Sequence, residues 1–248
     1  MKTSVFFLTT ILSVHLYAET SNDYRTQRAF EAGEDSESRQ ENAIRECAVS
    51  QIQKCVYPII AQLKKEGKEN APLRRESANA LGRMHATEAR EPLLQMLSKE
   101  DDEFAKGAAI GALGLIANKE DIKTVAPYTT DKSRYIRRRT ARALYDFDNK
   151  EASAEAANKA AAEKDDLTRA ELLNAALRYE SGKVEHVLAL TKILLSPDRA
   201  ARLRAAEILG DYQNKEALAD LRRAHEIELD SGVRAALYRA IQTTLMGY

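Results

Sequence analysis

The sequence contains two cysteines, Cys47 and Cys55. On one straight helix they would lie about 12 Å apart at 1.5 Å per residue, which is too far for a disulfide. If the chain turns near Ser50 and Pro58 lies in the first turn of a second helix, the two thiols lie on opposite sides of a tight turn and bridging is feasible. Metal binding would need more ligands nearby, and a redox pair is normally closer in sequence. We therefore predict a Cys47–Cys55 disulfide.

The densest basic stretch runs from Arg134 to Arg142 and contains Arg137, Arg138 and Arg139. Such a patch can contact an acidic partner, a phosphate-rich surface or an anionic lipid head group. The alternative is a solvated helix face whose charge is offset by acidic residues close behind it in the sequence. The patch is therefore a candidate partner-binding surface, and the solvated face is the simpler interpretation.

The other residues that could act in catalysis or metal binding are scattered along the sequence. Outside the first eighteen residues there are three histidines, His85, His186 and His225, and none has a His or Cys at metal-ligand spacing. We interpret them as surface residues. The sequence has no glycine-rich phosphate loop, no nucleophile elbow and no recurrent carboxylate pair. We therefore predict no catalytic residue, no metal and no cofactor.

Residues 1–18 have the layout of a secretory signal peptide, with Lys2 at the start, an apolar run and Ala18 at the cleavage position. The run is short and interrupted by polar residues, which argues against a membrane anchor. We expect cleavage after Ala18, a periplasmic or secreted mature protein, and no integral membrane segment after cleavage. Residues 19–40 are polar and charged, and are predicted to form a disordered linker.

Charge balance bears on the class of partner. The 38 basic residues equal the 38 acidic residues in number, so the chain has no global basic field that would attract nucleic acid. We predict a protein partner of unknown identity and no nucleic acid.

The elements that position these residues form an internal repeat. Related nine-residue stretches, such as Arg74 to Gly82 and Arg202 to Gly210, recur at intervals of 31 to 33 residues, which is typical of stacked helical repeats. In most units alanine and leucine precede the last residue of this stretch, which we call the closing residue, as part of an apolar helical stripe. A second apolar helical stripe begins about seven residues later. The closing residues of the six units are Gly82, Gly114, Tyr145, Arg178, Gly210 and Gln242.

Each unit therefore reads as a helical hairpin with one apolar side, which stacking with its neighbours buries. An aspartate precedes the first helix of several units, where it can cap the helix N-terminus and meet a basic residue one turn later. These aspartates are Asp102, Asp165, Asp198 and Asp230.

This pattern resembles the HEAT-like repeats, in particular the short variety first associated with phycobilisome lyases. The matching residues are Arg74 with Ala80-Leu81-Gly82, Arg202 with Ile208-Leu209-Gly210, and the aspartates between units. The unit from residue 167 to 200 departs most, with Glu171 and Arg178 at usually small or basic places. The resemblance implies an all-α fold over residues 41–248, a right-handed α-solenoid of about six helical hairpins.

The resemblance, together with the leader, predicts an exported, non-enzymatic protein-interaction scaffold of the cell envelope. The alternative is an accessory lyase-type enzyme or chaperone that acts on a bound tetrapyrrole-like group. In such solenoids the second helices are expected to line the concave side. The exposed residues expected there, as candidate partner contacts, are Gln95, Lys123, Thr191 and Arg223.

Overall fold

The structure, a computed structural model, describes residues 37–246. This part of the chain forms thirteen α-helices and no strand, in the order expected for hairpins followed by a closing helix. The helices are α1 (Glu37–Val49), α2 (Val56–Leu63), α3 (Ala71–Arg83), α4 (Arg90–Lys99), α5 (Glu103–Ile116), α6 (Ile122–Val125), α7 (Arg134–Asp146), α8 (Lys150–Ala160), α9 (Asp166–Leu177), α10 (Val184–Ile193), α11 (Arg199–Tyr212), α12 (Leu218–Ile227) and α13 (Ser231–Met246).

The odd-numbered helices α1 to α11 are the first helices of six hairpins, the even-numbered helices are the second helices, and α13 closes the array. The predicted all-helical solenoid of about six hairpins is confirmed. In the third hairpin α6 is short and continues as a 3₁₀ helix, Ala126–Thr130. Pro127 lies at this change, since proline has no N–H to donate to the α-helical ladder.

The predicted disulfide is present and joins Cys47 at the end of α1 to Cys55 just before α2, with the two Cα atoms 6.2 Å apart. It closes the turn of the first hairpin. Helix α1 begins at Glu37, within the range assigned to the polar linker. The predicted signal peptide and the rest of that linker lie outside the described residues.

The aspartates between units cap the helices as predicted. The side chain of Asp102 accepts a hydrogen bond from the Ala105 N–H at 2.8 Å, and Asp165, Asp198 and Asp230 cap α9, α11 and α13 in the same way. We call the connections between hairpins joints. At the joint before α7 the Ser133 hydroxyl takes this role, whereas the Asn70 side chain before α3 makes no such bond. These bonds satisfy backbone donors that a helix N-terminus leaves unpaired.

The basic residue one turn into α11 does not pair with the aspartate before it. Arg202 instead reaches the next joint, where its Nε and Nη2 donate to Glu228 at 2.7 and 3.1 Å, while its Nη1 donates to the Ser196 carbonyl at 2.9 Å. Arg74 with Glu100, and Arg137 with Glu163, repeat this arrangement. The planar guanidinium explains this choice, because it can bind a carboxylate with two N–H groups and a carbonyl with a third. We call these three pairs the joint ties.

The first helices pack closely against one another along the array. A Cβ atom added to Gly82 or Gly114 would lie 2.7 Å from the Cα of Ala112 or Ala143 on the next first helix, so only glycine fits. The leucines that precede the closing residues, such as Leu113, are fully buried. The apolar stripe predicted from the repeat is therefore the core.

The two layers of helices are spaced differently. Neighbouring first helices are in extensive contact, whereas neighbouring second helices barely touch. When stacked units are closer in one layer than in the other, the array curves and the closer layer lies on the inside. The first helices therefore line the concave side, and the expectation that the second helices do so is wrong.

Candidate binding site on the inner face

The residues predicted to contact a partner from the second helices lie in the outer layer. Gln95, Lys123 and Arg223 are exposed on three separate hairpins and are not brought together. Thr191, predicted to be exposed, is 7% exposed, because it faces the core and its hydroxyl donates to the Leu188 carbonyl at 3.1 Å. The structure thus forms no continuous site from these four residues.

The arginine patch divides into residues with different surroundings. Arg137 belongs to a joint tie and binds Glu163 and the carbonyls of Asp131 and Lys132, so its charge is used within the fold. Arg138 is half-buried and makes no hydrogen bond to a described residue. The three arginines therefore do not form one basic surface.

Arg139 lies across α5. Its Nε donates to the Gly107 carbonyl at 3.1 Å, and its guanidinium covers Gly111, where a Cβ would collide with it. Burial lowers the pKa of Arg139, with the Tyr135 and Asp146 charges acting in the opposite direction. The guanidinium has no carboxylate within ion-pair distance among the described residues, so Arg139 is the member of the patch that remains available on the inner layer.

A polar cleft of about 560 Å³ lies where the first helices of the fourth, fifth and sixth hairpins meet. Helices α7, α9 and α11 supply most of its lining. Contact between α9 and α11 is less extensive than between α3 and α5, α5 and α7, or α11 and α13. The cleft is lined by Tyr145, Asp148, Asn174, Arg178, Arg204, Asp211 and Tyr212.

The reason for the opening is visible in the closing residues of the repeat. Gly82, Gly114 and Gly210 let the first helix of the next unit approach closely, whereas Tyr145 and Arg178 have large side chains at those places. A large side chain at a helix contact increases the distance between the helix axes. The cleft therefore lies where the unit from residue 167 to 200 departs from the repeat pattern.

A buried carboxylate holds the three helices around the cleft. Glu171 on α9 is 2% exposed and accepts hydrogen bonds from Arg142 on α7 at 2.8 Å and from Arg204 on α11 at 3.2 Å. A buried carboxylate is tolerated when it is paired and hydrogen-bonded. This arrangement fixes the relative positions of the cleft walls.

One wall of the cleft is formed by Arg178 and its neighbours. The guanidinium lies 4.3 Å from the centre of the Tyr145 ring, a cation–π contact, and its Nε donates to Asp148 at 2.6 Å. Hydrogen bonds from Arg178 and from the Tyr179 hydroxyl lower the pKa of Asp148. The Arg178 charge is therefore already balanced within the wall.

Tyr212 and Asn174 meet across the cleft. The Tyr212 hydroxyl donates to the backbone carbonyl of Asn174 at 3.2 Å, and burial raises the pKa of Tyr212 to about 12. Asn174 is 6% exposed, yet its side-chain amide makes no hydrogen bond to any described residue. The amide atoms themselves are open to the cleft, because the buried side-chain atoms without a partner in the described residues belong to Gln62, Arg169, Asn214 and Thr244.

Like Arg139 and Asn174, Asp146 has a side chain that is not paired with another side chain. It ends α7 beside the cleft, and within the described part of the chain no hydrogen bond or ion pair reaches its carboxylate. Burial raises its pKa, although Arg139 and Arg178 oppose this effect. Asp146, Arg139 and Asn174 are thus polar side chains of the inner layer that make no ion pair or hydrogen bond with another side chain of the described residues.

Sequence reasoning missed Tyr145, Asn174 and Tyr212 as site residues. The sequence did contain a signal for this site. Tyr145 and Arg178 replace glycine in consecutive units, and the unit from residue 167 to 200 departs most from the pattern. No signal in the sequence indicated that the Asn174 amide would lack a partner, since that depends on which side chains lie opposite it.

The histidines are widely separated, each in its own local environment. His85 Nδ1 lies 2.8 Å from the Leu115 carbonyl oxygen, and the His225 ring packs near Tyr238. His186 is 8% exposed rather than on the surface as expected, because its Nε2 lies 3.0 Å from Glu180 beneath the turn before α10. Across residues 37–246, no three His, Cys, Asp or Glu side chains are arranged to hold a metal ion.

None of the described helices is both long enough and apolar enough to cross a bilayer. No curated protein has significant sequence similarity to the chain. Among solved structures, the complex of CpcE and CpcF of phycocyanin lyase from Nostoc sp. PCC7120 is similar at 18% identity, with a TM-score of 0.59 over 88% of this chain and 94% of that chain. Human deoxyhypusine hydroxylase in complex with glycerol matches at 16% identity, with a TM-score of 0.40 over 92% of this chain and 98% of that one.

The first of these similarities concerns the fold alone. The family model of HEAT repeats matches residues 22–114 and 90–178, and the first match begins within the range predicted as linker. Together the two matches cover more than half of the sequence, and the described helices continue the same hairpins to Met246. The chain belongs to the HEAT repeat family.

Proposed function

We propose that this chain is an exported, non-enzymatic protein-interaction scaffold that binds its partner on the concave face of the first helices. The observation that carries the proposal is the inner cleft, where tyrosine, arginine and an asparagine amide open to the cleft lie together on a rigid frame. Tyrosine and arginine are enriched in the residues that dominate protein–protein binding energy. The contacts predicted on the outer layer, Gln95, Lys123 and Arg223, lie on three separate hairpins.

The frame suits binding because its geometry is fixed before a partner arrives. Glu171 ties α7, α9 and α11 together, and the joint ties hold successive hairpins in register. A preorganised surface loses less conformational entropy on association. CpcE and CpcF form a complex, and a chain in the structure of that complex has a fold similar to this one; this supports a protein as the partner here.

Photo-crosslinking tests the location of the surface. We would place p-benzoylphenylalanine at Tyr145 in the cleft and, as a matched control, at exposed Tyr57 in the outer layer, and identify adducts formed in the native cells by mass spectrometry. We expect one protein to be recovered from the Tyr145 position and not from Tyr57. Equal adducts from both positions would contradict the concave face as the binding surface.

Export is tested separately. Fractionation of the native cells and N-terminal sequencing should place the mature protein in the periplasm or medium, beginning at Glu19. A cytoplasmic protein that retains residues 1–18 would contradict this part of the proposal. Visible absorption by a tetrapyrrole in the purified protein would favour the lyase-type alternative over the scaffold.

A further inference from the structure

The side-chain amide of Asn174 lines the cleft without a partner from the fold. The residue lies on α9 and is 6% exposed. Its backbone carbonyl is used by the Tyr212 hydroxyl, but its side chain has no partner among the described residues. Because the amide atoms are open to the cleft, a ligand that enters it can hydrogen-bond to them directly.

The chemistry of the amide restricts that ligand. A side-chain amide offers one acceptor oxygen and two N–H donors, so it is fully satisfied by a group that both donates and accepts. A peptide unit presents an N–H and a carbonyl side by side along an extended chain. A carboxylate or phosphate presents acceptors only and would leave the amide oxygen unpaired.

The charges around Asn174 lead to the same conclusion. Arg178 is paired with Asp148, and Arg204 is paired with Glu171. Asp211 is the charged lining residue that makes no ion pair within the described part of the chain, and it is acidic. The cleft therefore has no free cation for an anionic ligand. Its tyrosine walls suit the apolar parts of a polypeptide.

We propose, building on the proposed scaffold function, that the cleft binds an extended polypeptide segment of the partner and that the Asn174 amide pairs with a backbone peptide group of that segment. Backbone pairing fixes the position of the segment whatever its side chains are. Tyr145 and Tyr212 then contact the flanking residues. Asn174 is thus a binding residue that recognises the backbone of the bound segment rather than its side chains.

The chain offers a matched control. Asn79 lies on α3, another first helix, and is half-buried. Asn79 is not among the residues that line the cleft. Substitution of Asn79 tests the effect of losing an asparagine from a first helix without changing the cleft.

The test uses the full mature chain and a random twelve-residue peptide library displayed on phage. Peptides recovered on the wild-type protein would be synthesised with a fluorescent label and their Kd measured by anisotropy on wild type, Asn174→Ala and Asn79→Ala. We expect Kd to rise at least tenfold for Asn174→Ala and to stay within twofold for Asn79→Ala. Circular dichroism of both variants checks that the helices are retained.

Backbone pairing is tested by N-methylating each peptide bond of the best peptide in turn. One position should weaken binding to the wild type strongly and have little further effect on Asn174→Ala, because the paired amide is already absent. If no recovered peptide is weakened by Asn174→Ala, or if N-methylation acts equally on both proteins, the inference is overturned. Peptides that instead lose binding on substitution of Arg75 on α3 would overturn it while leaving the concave scaffold intact.

Discussion

The joints between hairpins and the inner cleft contain the same kinds of residue in opposite states. At a joint, Arg202 binds Glu228 through two N–H groups, and Glu228 in turn accepts the Asp230 N–H at 2.8 Å. In the cleft, the Asn174 amide is open to the cavity and has no partner among the described residues. The comparison shows that polar residues of this solenoid serve stability where their bonds close within the chain, and are available for binding where they do not.

Acidification should produce the largest effect, because it weakens the carboxylates of the joints together. The hydrogen bond from Arg202 lowers the pKa of Glu228. The pKa of Asp230 is lowered to about 2, mainly by the hydrogen bond from Arg199 and next by that from the Val233 N–H. Since these folded-state pKa values lie below the unfolded ones, their stabilisation is present above about pH 4.3 and is lost as pH falls through the folded values.

The measurement is urea unfolding followed by circular dichroism at a series of pH values from 7 to 3. We expect the free energy of unfolding to decrease progressively below about pH 4.5. Glu228→Gln should show a shallower decrease than the wild type. A free energy that does not change down to pH 3 would mean that the joint carboxylates contribute nothing to stability.

Removing one joint carboxylate should have the next largest effect. Glu228→Ala leaves Arg202, whose side chain is 19% exposed, without its carboxylate and removes the acceptor of the Asp230 N–H. Breaking a buried pair costs about 3 to 5 kcal/mol, and we expect about 3 kcal/mol in urea unfolding because the pair is partly exposed. Peptide binding in the cleft should not change.

Glu226→Ala is the control for this substitution, because Glu226 lies two residues before Glu228, in the last turn of α12, and is exposed. It should change the free energy of unfolding by less than about 0.5 kcal/mol. Similar losses for the two variants would show that the joint tie is no more important than a surface carboxylate.

The close packing of the inner layer gives a smaller effect. In Gly114→Ala the added Cβ would lie 2.7 Å from the Ala143 Cα, so α5 and α7 must separate. Overpacking of this kind costs about 1 to 3 kcal/mol, which exceeds the gain in helix propensity of about 1 kcal/mol. We expect a net loss of about 1 kcal/mol in urea unfolding.

Gly182 is the matched position for this test, because a Cβ there meets no atom within 4 Å. Gly182→Ala should be neutral or slightly stabilising. If Gly114→Ala were as well tolerated as Gly182→Ala, close approach of the first helices would not be a requirement of the fold.

The repeat predicted the hairpins because buried positions recur at a fixed spacing, and Leu81, Leu113 and Leu209 are all fully buried. It did not predict which layer is concave. Curvature depends on the distance between neighbouring helices, and that information was in Gly82 and Gly114, whose missing side chains allow close approach in the first layer. Periodicity places these glycines at a recurring position but does not show that another helix packs against them.

The cleft was less predictable, for a different physical reason. Whether a buried side chain is paired depends on residues distant in sequence, such as Tyr212, which uses the Asn174 carbonyl from 38 positions away. Arg137 illustrates the same limit, because its partner Glu163 lies 26 positions on and turns a candidate surface residue into a structural one. Periodicity identifies positions that repeat, whereas a binding site lies where the repeat is interrupted.

The smallest effect on stability is expected for Asn174→Ala. The wild-type amide makes no hydrogen bond that could be lost, and alanine is the better helix former by a few tenths of a kcal/mol. We therefore expect a change of less than about 1 kcal/mol in the free energy of unfolding.

Ser153→Ala is the comparison for this last variant. The buried Ser153 hydroxyl donates to the Ala176 carbonyl at 2.7 Å, and although the Glu180 N–H also donates to this carbonyl, loss of the Ser153 hydrogen bond should cost about 1 kcal/mol. Urea unfolding should therefore rank Ser153→Ala as more harmful than Asn174→Ala, whereas peptide binding should rank them in the opposite order. A loss of 2 kcal/mol or more for Asn174→Ala would place this asparagine with the joints, as a residue retained for stability, and would remove the distinction between the two regions.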